Sequence, residues 1–170
     1  MTLRIDLPAD KEPISWLWGE VVPKIGPAAA RFSAAVYDHS TLSLREFEAA
    51  RLRIAQVNHC LFCLDWRTER DGERVDESFY GEIENWRDGT GTDDLAPRER
   101  LAAEYAERFA ADHLSLDGDE EFWHRMKAAY TDAEIVELSM SIGSWIAFGR
   151  VNHVLGVDAE CRLPSHLGQH

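Results

Sequence analysis

The sequence predicts an all-α, multi-helical bundle, on three observations. Two segments open with a capping-box pattern, Ser43-Leu44-Arg45-Glu46 and Thr131-Asp132-Ala133-Glu134, whose hydroxyl and carboxylate satisfy N–H groups at a helix start. Each is followed by apolar residues at helical spacing: Leu44, Phe47, Ile54 and Val57 after the first, Ile135, Leu138, Ile142, Trp145 and Ile146 after the second. No stretch alternates apolar and polar residues as a half-buried strand does.

Taken in chain order, residues 1–26 read as an arm and short helix. Pro8 and Pro13 keep its start extended, and Trp16 and Trp18 make Ile14–Val22 a short helix or wrapping segment. A helical core over residues 27–157 follows. Pro27 suits the first turn of a helix to about Asp38, with Ala28, Phe32, Ala35 and Val36 as its apolar set. The helix capped at Ser43 runs to a joint at Asn58-His59. A polar stretch beyond the cysteines leads to a helix from Phe79 to Trp86, and Asp88-Gly-Thr-Gly-Thr-Asp-Asp94 is the clearest loop. Pro97 opens a helix carrying Leu101, Tyr105 and Phe109, Phe122–Tyr130 forms another, and the helix capped at Thr131 continues to about Gly149. Val57-Asn58-His59 recurs as Val151-Asn152-His153, a weak internal echo. Residues 158–170 form a tail.

At 170 residues with 45% apolar and 29% charged side chains, the chain has the length and balance of a single domain with a substantial core. Its formal charge of −13 repels phosphate backbones, so nucleic acid is not an expected partner. No apolar run approaches the roughly 20 residues a membrane helix needs, and Met1–Asp6 lacks the layout of a secretory signal. A cytoplasmic location and no membrane partner are expected. Three cysteines, an odd number, argue against a secreted disulfide scaffold.

The chemistry is concentrated in Cys60-Leu61-Phe62-Cys63. Cysteines three apart on a helix share a face, close enough to exchange between dithiol and disulfide. On a first turn, unpaired N–H groups would favour a thiolate. The alternatives are inert buried thiols, or a zinc site completed by His59 or by Cys161 and His166. Two ligands do not make such a site, so no metal is expected. Glu48 precedes Cys60 by twelve residues. On a continuous helix they would lie about 18 Å apart, so the chain must fold back near Asn58, or one subunit must serve another, for Glu48 to act. Otherwise Glu48 forms an intrahelical pair with Arg51. His59 reads as a hydrogen-bonding residue at the helix joint.

The segment from Arg45 to Asn58 has the form R-E-x-E-x-x-R-L-R-x-A-Q-x-N, with Glu48 inside it and the C-x-x-C just beyond. This resembles the C-x-x-C branch of the carboxymuconolactone decarboxylase/alkylhydroperoxidase D-like family. Leu95-Ala-Pro-Arg-Glu99, Tyr130-Thr-Asp-Ala-Glu-Ile-Val-Glu-Leu138 and Arg150-Val-Asn152 resemble its second half, so the similarity spans residues 42–157. It implies an AhpD-like bundle and a thiol-dependent peroxidase. Cys63 would be the peroxide-attacking thiol, Cys60 the resolving thiol and Glu48 part of the proton relay, with no cofactor. A peroxide and a thiol or dithiol reductant would be its partners.

Two positions depart from the pattern. Arg67 stands where the family's active enzymes carry a histidine, and Phe62 where another is found. Arginine one helical turn from Cys63 would stabilise a thiolate but cannot shuttle a proton, which leaves Glu48 or the local substitute His59. Slow turnover is therefore expected, improved by Arg67→His. A carboxymuconolactone-type decarboxylase and a non-catalytic redox sensor are the competing functions. The decarboxylase branch generally lacks the C-x-x-C. Six tryptophans and an apolar N-terminal segment predict a homo-oligomer, a trimer or hexamer by the resemblance.

Overall fold

The computed structural model of the chain describes residues 3–87 and 94–158. Its elements are α1 (Pro13–Trp16), a π-helical turn (Leu17–Val21), α2 (Gly26–Asp38), α3 (Leu44–Asn58), α4 (Leu61–Asp65), a hairpin of β1 (Glu69–Arg70) and β2 (Glu73–Arg74), α5 (Glu77–Glu84), α6 (Pro97–Ala111), α7 (His113–Asp117), α8 (Glu120–Ala129) and α9 (Asp132–Leu155).

Helix α3 is central because it can be approached closely on more than one side. Its start is fixed as the sequence predicts: Ser43 Oγ accepts from the Glu46 N–H at 3.3 Å, and Glu46 Oε2 accepts from the Ser43 N–H at 3.1 Å. Ala49 and Ala50 of α3 and Ala102, Ala103 and Ala106 of α6 are fully buried, so small side chains let these two helices pack together. Helix α9 also packs on α3, and its close approach is at Gly149, where an added Cβ would lie 2.6 Å from Asn58 Nδ2. Phe47, Ile54, Phe79, Ile83, Phe122, Leu138 and Ile142 fill the space between the helices and are fully buried. Each such burial contributes about 1.5–3 kcal/mol relative to exposure.

The capping box of α9 also forms, with Thr131 Oγ1 accepting from the Glu134 N–H at 3.3 Å. One turn on, the Glu137 carboxylate accepts from the Ser40 and Thr41 hydroxyls at 2.6 and 2.5 Å, tying α9 to the turn between α2 and α3. The N-terminal segment packs tightly. An added Cβ at Gly26 would lie 1.7 Å from the Trp18 carbonyl oxygen, so only glycine lets α2 start there.

The chain is predominantly helical, as expected, and four details differ from the sequence reading. Asp71 and Gly72, both at positive φ (56° and 80°), form a two-residue hairpin loop that pairs Glu69 with Arg74, too short to show as alternation. A short α7 precedes α8. Helix α5 begins at Glu77, ahead of Phe79. Helix α9 does not end near Gly149 but runs to Leu155, where Gly156 in the left-handed region (φ 75°) caps it. The Asp88–Asp93 part of the expected loop, Cys161 and the tail after Asp158 lie outside the described residues. No helix among the described residues is long and apolar enough to cross a membrane.

Candidate redox site at the joint of α3 and α4

The break expected at Asn58-His59 is present. His59 adopts a left-handed conformation (φ 52°) and its N–H closes α3 onto the Ala55 and Gln56 carbonyls. The chain turns there, and Cys60 becomes the N-cap of α4. Cys60 and Cys63 are joined as a disulfide, with their Cα atoms 5.2 Å apart. The Cys63 N–H points at Cys60 Sγ, 3.4 Å away. The first-turn N–H therefore faces the sulfur of Cys60. Cys60 is fully buried, whereas Cys63 is partly exposed.

Folding back at the joint also connects Glu48 to the cysteines, through Arg51. The Arg51 guanidinium forks onto Glu48 (Nε to Oε1 2.5 Å, Nη2 to Oε2 2.9 Å) and donates to the carbonyls of Cys63 (2.6 Å) and Trp66 (3.0 Å). Glu48 also accepts from the Thr68 hydroxyl at 2.5 Å and the Tyr80 hydroxyl at 2.8 Å. Burial alone would raise the Glu48 carboxyl, but the Arg51 charge and these hydrogen bonds hold it below its usual value. Burial, and then the Glu48 charge, push the Tyr80 phenol up. Glu48 and Arg51 are 0% and 2% exposed, so this ion pair lies within the core and orients the cysteine loop by main-chain hydrogen bonds.

On the other side of Cys63 is a cavity of about 730 Å³. Trp18, Tyr37, Phe62, Trp66, Trp145 and Phe148 make it aromatic, and Arg51, neutralised by Glu48, is the charged residue lining it. The N-terminal segment covers one side. Trp18 meets the Phe148 ring edge-on at 4.7 Å between centroids, and its Nε1–H donates to Asn152 Oδ1 at 3.2 Å. Cys63 lines this cavity; Cys60 does not.

The residue after Cys60 has a different partner. Asp158 Oδ2 accepts from the Leu61 N–H at 3.2 Å and from His153 Nδ1–H at 3.1 Å. Asp158 is 1% exposed, and its Oδ1 has no hydrogen-bond partner among the described residues. A buried acceptor left unpaired costs about 1–3 kcal/mol, more when charged. The Val-Asn-His echo acquires a spatial meaning here, since the His59 and His153 rings are 6.5 Å apart.

His59 itself is exposed at the joint. Arg67 is not one helical turn beyond Cys63, because α4 stops at Asp65 and Trp66 is extended (φ −66°, ψ 138°). Its guanidinium instead pairs with Glu77 (2.9 and 3.1 Å), donates to the Leu64 carbonyl at 2.8 Å and lies 4.0 Å from the Tyr80 ring centroid. Arg51, not Arg67, is the arginine that binds the cysteine loop. Sequence spacing pairs Arg51 with Glu48, but nothing in it points to Thr68, Tyr80 or Asp158, which arrive from a loop, from the middle of α5 and from beyond the end of α9.

No family profile matches the chain, and no solved structure matches it. Over 123 residues, 69% of this chain and 78% of the relative, it is 24% identical to the uncharacterized protein YdfG of Bacillus subtilis (strain 168).

Proposed function

We propose that this chain is a cytoplasmic thiol-dependent peroxidase of the alkylhydroperoxidase D-like kind, cycling Cys60 and Cys63 between dithiol and disulfide. The observation that carries the reading is the asymmetry of the pair: Cys63 opens onto an apolar cavity, and Cys60 is buried behind it. The Cys63 thiolate attacks one peroxide oxygen, the O–O bond breaks, and the alkoxide leaves as an alcohol after taking a proton. The resulting sulfenic acid is displaced by Cys60, releasing water and forming the disulfide. A thiol or dithiol reductant then attacks Cys63 from the cavity, with Cys60 as leaving group.

Glu48 holds Arg51, and through it the Cys63 loop, and its Thr68 and Tyr80 hydroxyl partners give it the means to relay a proton. A cavity of this volume takes an organic molecule and not merely hydrogen peroxide, and its neutral aromatic lining favours an uncharged one. The reading includes assembly as a homo-oligomer, a trimer or hexamer, supported by the apolar residues α9 leaves exposed: Val136 (56%), Met140 (60%) and Val154 (68%).

The test treats reduced protein with an aromatic hydroperoxide and with hydrogen peroxide, following intact mass and dithiol-coupled turnover. The organic peroxide should oxidise the pair about tenfold faster. Cys60→Ser should stall one oxygen heavier, and Cys63→Ser should be inert. Peroxide consumption by Cys63→Ser, or a disulfide mapped to Cys161, would sink the reading. Clean disulfide formation without turnover would instead favour a redox sensor.

A further inference from the structure

Cys60 has a proton problem that Cys63 does not. It is fully buried, so bulk water cannot take its proton when it becomes a nucleophile. One peptide unit away, Asp158 binds the Leu61 N–H through Oδ2 and keeps Oδ1 buried without a partner among the described residues. The pair is oxidised here, so Cys60, the residue before Leu61, has no S–H to donate. Reduction creates a donor on the residue next to the Leu61 N–H that Asp158 binds. Asp158 Oδ2 also accepts from His153 Nδ1–H, and the His153 side chain is 27% exposed, so the pair leads from the Leu61 N–H, next to the buried Cys60, toward solvent.

We propose that Asp158, coupled to His153, accepts the proton of Cys60 in the disulfide-forming step. The inference rests on Cys60 and Cys63 cycling as a dithiol. The Cys60 S–H proton passes to the carboxylate, and the sulfur electron pair attacks Cys63 Sγ. The bond from Cys63 to its leaving group breaks, and that group departs with the electrons: hydroxide from a sulfenic acid, or a thiolate from a mixed disulfide. The proton then leaves Asp158 by way of His153. Around this pair, His59 faces His153 from the α3–α4 joint, Arg150 lies on the same helix bound to Asn58, and Arg4 reaches the end of α9 through its main-chain bond to Leu155.

The experiment uses one equivalent of 4,4′-dithiodipyridine on the reduced full chain in a Cys161→Ser background, read as thiopyridone release. The first release reports attack by the cavity-facing thiol; the second reports displacement by Cys60. Asp158→Asn keeps an oxygen to accept from the Leu61 N–H but is no base. It should slow the second release by about 100-fold and leave the first within about threefold. Asp158→Glu should recover part of that loss. His153→Gln should slow the second release by about tenfold and flatten its pH profile. An unchanged second release in Asp158→Asn would overturn the proposal. Should that variant fail to fold by circular dichroism, an unchanged rate and pH profile in His153→Gln would overturn it instead. The probe is not a peroxide, so these phases are read whether or not the protein reduces hydroperoxides.

Discussion

Helices α3 and α9 both begin with a capping box and both press on the same core, yet they distribute polarity in opposite senses. Helix α3 places charge inside: Glu48 and Arg51 are 0% and 2% exposed, and Asn58 is buried at its end. Helix α9 leaves apolar side chains outside, with Val136, Met140, Val151 and Val154 in water. A charged pair can stay buried on α3 because every Glu48 oxygen and most of the Arg51 fork are hydrogen-bonded. An apolar stripe on α9 has no such internal compensation and suits an assembly. The difference separates what α3 does for the site from what α9 leaves open to solvent.

The largest expected effect comes from breaking the α3 pair. Glu48→Gln leaves the Arg51 charge buried and unmatched, and should lower unfolding stability by about 3–5 kcal/mol in urea titration. The same pair predicts an acid dependence. The Glu48 carboxyl is depressed in the fold, so its contribution is present above an unfolded value of about 4.3 and disappears as pH falls through the lower folded value. Urea midpoints between pH 7 and pH 3 should show that loss in the wild type and lack it in Glu48→Gln. A variant as stable as the wild type would show that burial and not pairing dominates there.

Gly149→Ala tests the contact between the two helices. The new methyl would meet the Asn58 amide at 2.6 Å, an amide whose Nδ2–H already donates to the Trp145 carbonyl at 2.9 Å. A cost of about 1–3 kcal/mol is expected, measured by thermal unfolding.

Arg67→Ala should cost less than about 1 kcal/mol, because its partner Glu77 is 76% exposed and the pair is screened. Turnover of Arg67→His is the sharper measurement. With Arg67 turned toward Glu77 and Tyr80, a gain in rate would require the new imidazole to reach back past Trp66. The smallest effect on the fold is expected on the open face of α9, where Met140→Gln and Val154→Ser together should change monomer stability by less than about 0.5 kcal/mol each. Sedimentation should nonetheless show a smaller particle. An unchanged sedimentation profile would remove this face from the proposed assembly.

These contrasts also mark what was legible in the sequence. The capping boxes, the Pro27 and Pro97 starts and the joint at Asn58-His59 are written in local patterns, and local hydrogen bonds fix them. Arg51 is harder to read. It falls on the Leu44, Phe47, Ile54 face, four residues after Phe47 and three before Ile54, yet periodicity records apolar faces and says nothing of the distant partners that let a charge be buried there. Thr68, Tyr80 and Asp158 reach the site from 20, 32 and 97 residues away from the groups they bind, separations at which spacing carries no signal. Arg67 was misplaced by one assumption, that α4 continues past Asp65. The aromatic cavity was not foreseen at all, since its walls come from α2, α3, α9 and the N-terminal segment at once.

The disulfide encloses only the stretch from Cys60 to Cys63, a sequence separation of 3. Cross-links restrain an unfolded chain by an amount that grows with the logarithm of the loop they close, so one this short contributes roughly 2 kcal/mol against about 4.7 for a loop of a hundred residues. The surrounding helices hold their places by capping, by the Arg51 fork and by core packing, none of which involves the sulfur–sulfur bond. Opening and closing the bond, as the proposed chemistry requires, would therefore leave the scaffold around it assembled, as a latch can be worked without loosening the door frame.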